Sequence, residues 1–337
     1  MEPLDCIRAG FRCIIASGLG RRSANMMRST AGRRLAVRAA GCAGTLFVIV
    51  SGSFFLIRIA PGGPFDTGRR LDPEILAGLR RHYGLDQSLP QQYLHYLSNL
   101  AHGDLGSSYS YRDVPVVSIL ADSIPVSFSL VALALGLALA VGISAGIAAA
   151  FWKGRAVDRA VGGLSTVALA IPSVMLGPLL ILLFAVYLGW LPPSGWDEGA
   201  QHWVLPTVTL AVPYMAVFAR ITRGSLADVL AAAHIRTAHA FGLPLRVLIR
   251  RALRNALIPI ISLGGPTTVA MITGTAVVET IFGIPGIGQH FVQAALQRDY
   301  ALAMGTILLL AVLIVGINAL VDLAYGIIDP RIRLDKR

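Results

Sequence analysis

The chain has 337 residues, of which only 14% are Asp, Glu, Lys or Arg and 55% are apolar or aromatic, with a mean hydropathy of +0.67. A soluble domain carries about 25% charged residues, so this chain has too little charge to cover a water-facing surface and too much apolar content to stay disordered. Its net charge of +11 would suggest nucleic acid in a soluble protein; here the basic residues sit in blocks between apolar runs, which a bilayer explains and a nucleic-acid partner does not. The runs are continuous and longer than the alternating segments of about 10 residues that build a membrane β-barrel. The fold class is an all-α polytopic membrane protein. Cys6, Cys13 and Cys42 all precede position 43 and cannot staple the rest.

In chain order, residues 1–33 read as a cytoplasmic, arginine-rich and poorly ordered extension, with Met26 or Met27 as an alternative start. The extension precedes an apolar run, as in a targeting signal. That run is span-length and Ile59-Ala60-Pro61-Gly62-Gly63-Pro64 makes a poor cleavage site, so an uncleaved first helix is expected over 34–59. Crossing the hydrocarbon takes about 20 helical residues at about 1.5 Å each. Charge-free stretches of that length or more lie at Ala39–Ile57, Ile124–Phe151, Ala160–Trp196, Gly199–Ala219, Asn255–Val278 and Tyr300–Val321. The third ends in a surface turn, Trp190–Gly195, and has no polar turn inside it, so Pro172 and Pro178 are read as kinks in one tilted helix. The expected spans are then 36–59, 124–151, 158–189, 202–221, 255–280 and 301–325.

Charge supports this count. With both termini cytoplasmic, the inner pieces hold 22 of the 29 basic residues and the outer pieces six, with Arg58 left at a boundary where its stem can snorkel. A seventh helix within 160–196 would put the arginine-rich loop outside. The outer segment 60–123 is too polar to lie in lipid. Pro73 opens one helix there, with acids first and Arg80, Arg81 and His82 last, as the helix dipole favours, and Leu89–Leu97 forms another. This segment either caps the outer mouth against a partner or is a packed lid.

The loop 222–258 carries the most information. Asp228–Ala240 reads as one helix, Gly242 as its break and Pro244 as the first turn of the next, in which Arg246, Arg250 and Arg254 form an i,i+4 ladder. Such a ladder repels itself, so it meets anionic lipid, an acidic groove on a partner, or plain solvent; a helix–Gly–Pro–helix platform favours the partner. After the fifth span, Gly283, Gly286 and Gly288 surround Pro285, which suits either a tight re-entry buried in protein or an ordinary loop. Gly142 and Gly146 offer a close helix approach. Glu279, Asn318 and Asp322 are ionisable or polar groups at or in spans, open to functional, snorkelling or structural readings.

The loop around Gly242 resembles the cytoplasmic loop of binding-protein-dependent ABC importer permeases that fits a groove in the ATPase. The family pattern there is glutamate, two alanines, three residues and glycine; here Arg236-Thr237-Ala238 and Gly242 stand in its place, a departure usual in the dipeptide/oligopeptide/nickel branch. Further matching stretches are Arg58–Gly62, His102–Gly106, Ile124–Ser127, Ile171–Ser173, Glu279–Gly288 and Arg298–Tyr300. The likeness is nearest to the B-type permease subunits of oligopeptide systems and runs from about Arg34 to Arg333.

The resemblance implies the type I importer permease fold: six transmembrane helices, an outer segment between the first two, a five-helix core over 124–325 and a tail from 326. It implies as partners a second paralogous permease, two ABC ATPase subunits, a periplasmic or lipid-anchored solute-binding protein, a peptide substrate and the inner-membrane bilayer. No nucleic acid is expected. Related systems import nickel chelates, opines or short glycans. The resemblance assigns ATPase coupling to Arg236, Thr237, Ala238, Ala240, Gly242, Leu243, Pro244 and Arg250. Pro172, Pro178, Gly283, Pro285, Gly286 and Gly288 are candidates for pore or gate structure. No catalytic, cofactor or metal site is expected: the sequence has no phosphate loop and no His-Glu-x-x-His, so ATP and Mg²⁺ belong to the partner ATPases. A secondary transporter is the weaker alternative, because no repeated halves are visible.

Overall fold

The computed structural model describes residues 37–59, 63–65, 72–111, 114–197, 199–242 and 244–328. The expected extension 1–33, the tail beyond 328 and Leu243 lie outside the described residues. The chain divides into two units, residues 1–52 and 53–337. In the first, residues 37–52 are helical and begin α1 (Val37–Ile59).

The second unit is helical throughout its core. The segment expected to lie outside forms α2 (Pro73–His82) and α3 (Leu89–Ala101). Asp72 caps α2 by accepting from the Glu74 N–H at 3.0 Å, and the Gln91 side chain accepts from the Ser88 N–H at 3.2 Å to cap α3. Then follow α4 (Val116–Phe151), α5 (Ala156–Ala170), α6 (Ser173–Leu180), α7 (Gln201–Ala231), α8 (Ala233–Ala240), α9 (Leu245–Phe282), α10 (Ile287–Gln297) and α11 (Tyr300–Ile328). Among the described residues, α1, α4, α7, α9 and α11 are long and apolar enough to cross a bilayer, and α5 with α6 makes a sixth if the bent pair counts as one span.

Three expectations are corrected. The third span is not a single kinked helix: α5 and α6 meet at 102°. Ile171 is extended, with φ −89° and ψ 114°, because the ring of Pro172 forces the preceding residue out of the helical region. Pro178 lies inside α6, and the helix then widens to π geometry over Ile181–Tyr187. Second, Asp228–Ala240 is two helices, since Ala232 turns extended at ψ 145° between α7 and α8. Third, the arginine ladder is not on a separate helix but on the first turns of α9, which runs unbroken for 38 residues into the fifth span. Charge-free boundaries likewise understate α4 and α7. Asp122 is exposed on α4, and Arg220 and Arg223 ride on α7; a charge outside the hydrocarbon does not stop a helix.

The core forms where α4 and α9 flank α7. Leu130, Ala134, Ala138, Leu210, Phe218, Met271 and Phe282 are buried together there. The Gly142/Gly146 pair is a real contact: a Cβ at Gly142 would sit 2.7 Å from the Met215 carbonyl oxygen, and one at Gly146 would sit 2.6 Å from that of Ala219. Small residues let α4 and α7 approach backbone to backbone, which is how helices pack without a hydrophobic drive in lipid.

Candidate functional site

At its C-terminal end, α9 stops at Gly283, which takes a left-handed conformation (φ 65°) with its N–H directed at the Glu279 carbonyl. The chain then turns through Pro285 and Gly286 into α10. Glu279 is fully buried, and its side chain caps this second helix from a distance. One carboxyl oxygen accepts from the Ser127 hydroxyl of α4 at 2.7 Å, and the other accepts from the Gln289 N–H at 3.0 Å. Ser127 Oγ in turn accepts from the Ile287 N–H at 2.9 Å. The first-turn donors of α10, which no residue within that helix satisfies, therefore end on α4 and α9. A Cβ at Gly286 would overlap the Glu279 carboxyl, and one at Gly288 would overlap the backbone of Ala276. In the Gly–x–Pro–Gly–x–Gly stretch, Gly286 and Gly288 thus serve tight closure onto α9. The expected surface turn joins it: the Gly195 N–H donates to the Phe282 carbonyl at 3.0 Å.

A second fully buried carboxyl is Asp299, within the Arg298–Tyr300 stretch. Its side chain caps α11 through the Leu302 N–H at 3.1 Å and accepts from the Tyr109 and Ser110 N–H groups at 3.0 and 3.1 Å, with the Ser108 hydroxyl also bonded to it. The preceding Arg298 holds φ 57°, a conformation that costs a non-glycine residue about 1–2 kcal/mol. Asp299 thus pins the end of the outer segment to the α10–α11 corner. Burial pushes the neighbouring Tyr109 phenol up to about 12, against the opposing pull of Arg58.

Before the N-terminal end of α9, α8 closes with the Phe241 N–H donating to the Thr237 carbonyl at 3.0 Å, and Gly242 reverses the chain at φ 75°. Pro244 is the N-cap of α9 (φ −56°, ψ 138°), one position before the expected first turn. Thr237, Ala240, Gly242, Pro244 and Arg250 are exposed, and Phe241 is 82% exposed. Arg236 and Ala238 lie on α8; their side chains, like all of Leu243, lie outside the described residues. The helices behind this tip are anchored: Ala150, Leu226, Ala252 and Ala256 pack together. Nearby, Asp158 takes a two-point ion pair from Arg223, 2.8 Å at each oxygen, and accepts the Gly154 N–H at 2.9 Å. The 152–159 loop thus holds a paired acid among its cations. Asn318 is exposed on α11, and the Asp322 side chain lies outside the described residues.

The described residues thus define two worked ends on one helical core, a closed turn at Gly283–Gly288 and a protruding tip at Phe241–Gly242, in a multi-pass membrane protein. The comparisons identify the family. Residues 142–334 match the model for the binding-protein-dependent transport system inner membrane component, and residues 32–131 match that for its N-terminal part. The chain belongs to this family. It is 47% identical over 291 residues to the oligopeptide transport system permease protein OppB of Escherichia coli (strain K12), covering 86% of this chain and 95% of that one. It is 40% identical over 296 residues to the dipeptide transport system permease protein DppB of Bacillus subtilis (strain 168), covering 88% and 96%. Among solved structures, the inward-facing MetNI methionine ABC transporter aligns at TM-score 0.52 and 19% identity, covering 63% of this chain and 97% of the other, a likeness of fold.

Proposed function

We propose that this chain is one transmembrane subunit of an ATP-driven importer of oligopeptides or dipeptides. The observation that carries the reading is 47% identity along nearly the whole of an oligopeptide permease. A second permease completes the path, a solute-binding protein delivers peptide at the outer mouth, and two ATPase subunits bind ATP and Mg²⁺ and hydrolyse the nucleotide. The exposed tip around Phe241 and Gly242 receives their movement, and the outer turn at Glu279–Gly288 is the far end of the helix that carries it. Pro172 and Pro178, which bend and widen the third span, shape its wall.

Reconstitution decides this. The chain combined with a second permease, two ATPases and a binding protein should hydrolyse ATP in response to peptide and accumulate the peptide in vesicles, whereas the chain by itself should do neither. ATP-dependent peptide uptake by the isolated chain would overturn the assignment.

The orientation is six spans with both ends in the cytoplasm, supported by the 22-to-6 division of basic residues. In a cysteine-free background, Gln87→Cys should react with an impermeant maleimide in intact cells and Ala240→Cys only after permeabilisation. Labelling of position 240 in intact cells would refute the arrangement.

A further inference from the structure

A cavity of about 440 Å³ opens within the outer segment, lined among others by Arg58, Arg81, Gln92, Tyr96, Asn99 and Tyr109. Small-molecule sites begin at about 300 Å³. Arg58 lies on its wall with the guanidinium held from two sides. The group lies 3.6 Å from the Phe54 ring centre and 5.6 Å from that of Tyr300, and its Nε donates to Gln92 Oε1 at 3.1 Å. Gln92 is itself fixed, since its amide nitrogen donates to the Gln87 carbonyl at 2.9 Å and the Leu85 carbonyl at 3.4 Å. The guanidinium is therefore placed by its neighbours and is not a free surface arm.

Among the described residues it has no counter-ion. One terminal nitrogen of Arg58 is buried with no hydrogen-bond partner, and so is the hydroxyl of Tyr96. Buried donors ordinarily find an acceptor, and here two of them belong to residues that line one cavity. The one carboxyl among its described lining residues, Asp104, accepts the Gly106 N–H at 2.8 Å, and the Asp299 carboxyl is engaged by Tyr109, Ser110 and Leu302. Burial lifts the Tyr96 phenol to about 12, so the hydroxyl keeps its proton and donates.

We propose that this cavity binds the C-terminal carboxylate of a short peptide, with Arg58 and Tyr96 donating to the carboxylate oxygens. Arginine suits a planar carboxylate because its donors lie in one plane. The rest of the wall favours a peptide over a lipid headgroup. Gln87, His95 and Asn99, on or beside α3, supply donors and acceptors for amide groups. Much of the wall is built from α2 and α3, which bury no residue and are amphipathic outer helices, whereas a phospholipid needs an apolar exit for its chains. The choice of a peptide among carboxylates rests on the transport function proposed above.

The test uses the full chain in phosphatidylcholine nanodiscs, without ATPase or binding protein, read by saturation-transfer NMR. Trialanine should bind, and trialanine amide should bind about tenfold more weakly, the scale of one charge-assisted hydrogen bond. Arg58→Gln should lose a similar factor for trialanine and none for the amide. Tyr96→Phe, which removes one hydroxyl and little volume, should weaken trialanine severalfold. Equal binding of acid and amide, or unchanged trialanine binding in Arg58→Gln, overturns the proposal. So does glycerol 3-phosphate displacing trialanine at equal concentration, which would assign the cavity to lipid. If Arg58→Gln fails to fold, the acid–amide comparison on the native chain and Tyr96→Phe give the decision. A complex that imports peptide while trialanine ignores this cavity removes the site and leaves the transport function standing. Trialanine held by Arg58 in a chain whose complex imports no peptide does the reverse.

Discussion

Replacing Gly242 by valine should strip the chain of its ATPase partners while leaving it inserted and paired with the second permease proposed above. The backbone there is left-handed at φ 75°, a conformation that costs a β-branched residue at least the 1–2 kcal/mol charged to any L side chain, roughly. A Cβ at this position meets nothing within 4 Å, so the packed core behind the tip is undisturbed and the strain falls on the angle between α8 and α9. Gly242→Asp tolerates the conformation better but sets a negative charge on the surface that must enter the partner, and uptake should be lost in both. Phe241→Ala is the companion experiment. At 82% exposure its ring contributes little to folding, whereas a docked aromatic anchor is worth about 2 kcal/mol, or roughly thirtyfold in affinity. Arg250→Glu should weaken attachment less, and the loss should shrink as salt is raised. Co-purification at matched permease abundance reads all four. Native ATPase recovery and uptake in Gly242→Val would show that this tip does not carry the power stroke.

The second large effect is expected at Glu279. Glu279→Ala removes the acceptor of two buried donors, the Ser127 hydroxyl and the Gln289 N–H, and leaves a void where the carboxyl stood. Each orphaned donor costs about 1–3 kcal/mol, so the two together cost roughly 2–6 kcal/mol before the void is counted. The purified chain should melt several degrees lower, with α10 the first element to lose amide protection in hydrogen exchange. Glu279→Gln should be milder, because its amide oxygen still accepts from Gln289 while its nitrogen donates to Ser127 Oγ. Gly286→Ala should resemble the alanine variant, since its methyl displaces the same carboxyl. If Glu279→Ala and Glu279→Gln melt alike and at the native temperature, the distant cap contributes nothing to the outer turn.

The apolar runs announced the spans because a bilayer demands length and hydropathy, properties carried locally by each segment. Their ends were less legible. Arg220 and Arg223 mark where α7 leaves the hydrocarbon but not where it ends at Ala231, because backbone hydrogen bonding continues into water. The break at Ala232 has no local signal at all; it falls in a run of alanines, the strongest helix formers, and tertiary packing overrides them. Pro172 foretold a bend, while its 102° depends on what the two halves pack against. At the sites, Gly242 and Gly283 were legible because a left-handed turn selects glycine. The partnerships of Asp299 with Tyr109, 190 positions apart, and of Glu279 with Ser127, 152 apart, were not, since each residue taken singly looks like an ordinary boundary polar group. Arg58 read as a snorkelling cation for the same reason.

The unbroken course of α9 has a consequence for how this chain tolerates change in length. Its 38 residues make a rod of about 57 Å, and each residue added turns everything beyond it by about 100°. Insert one amino acid between Asn255 and Glu279, and the carboxyl swings away from Ser127 while the inner tip keeps its place. Delete one, and it swings the other way. The two ends are locked in phase, so gene-level insertions and deletions should be excluded from this helix even where almost any apolar substitution is accepted. Its length is as much a specified property of the protein as any side chain on it.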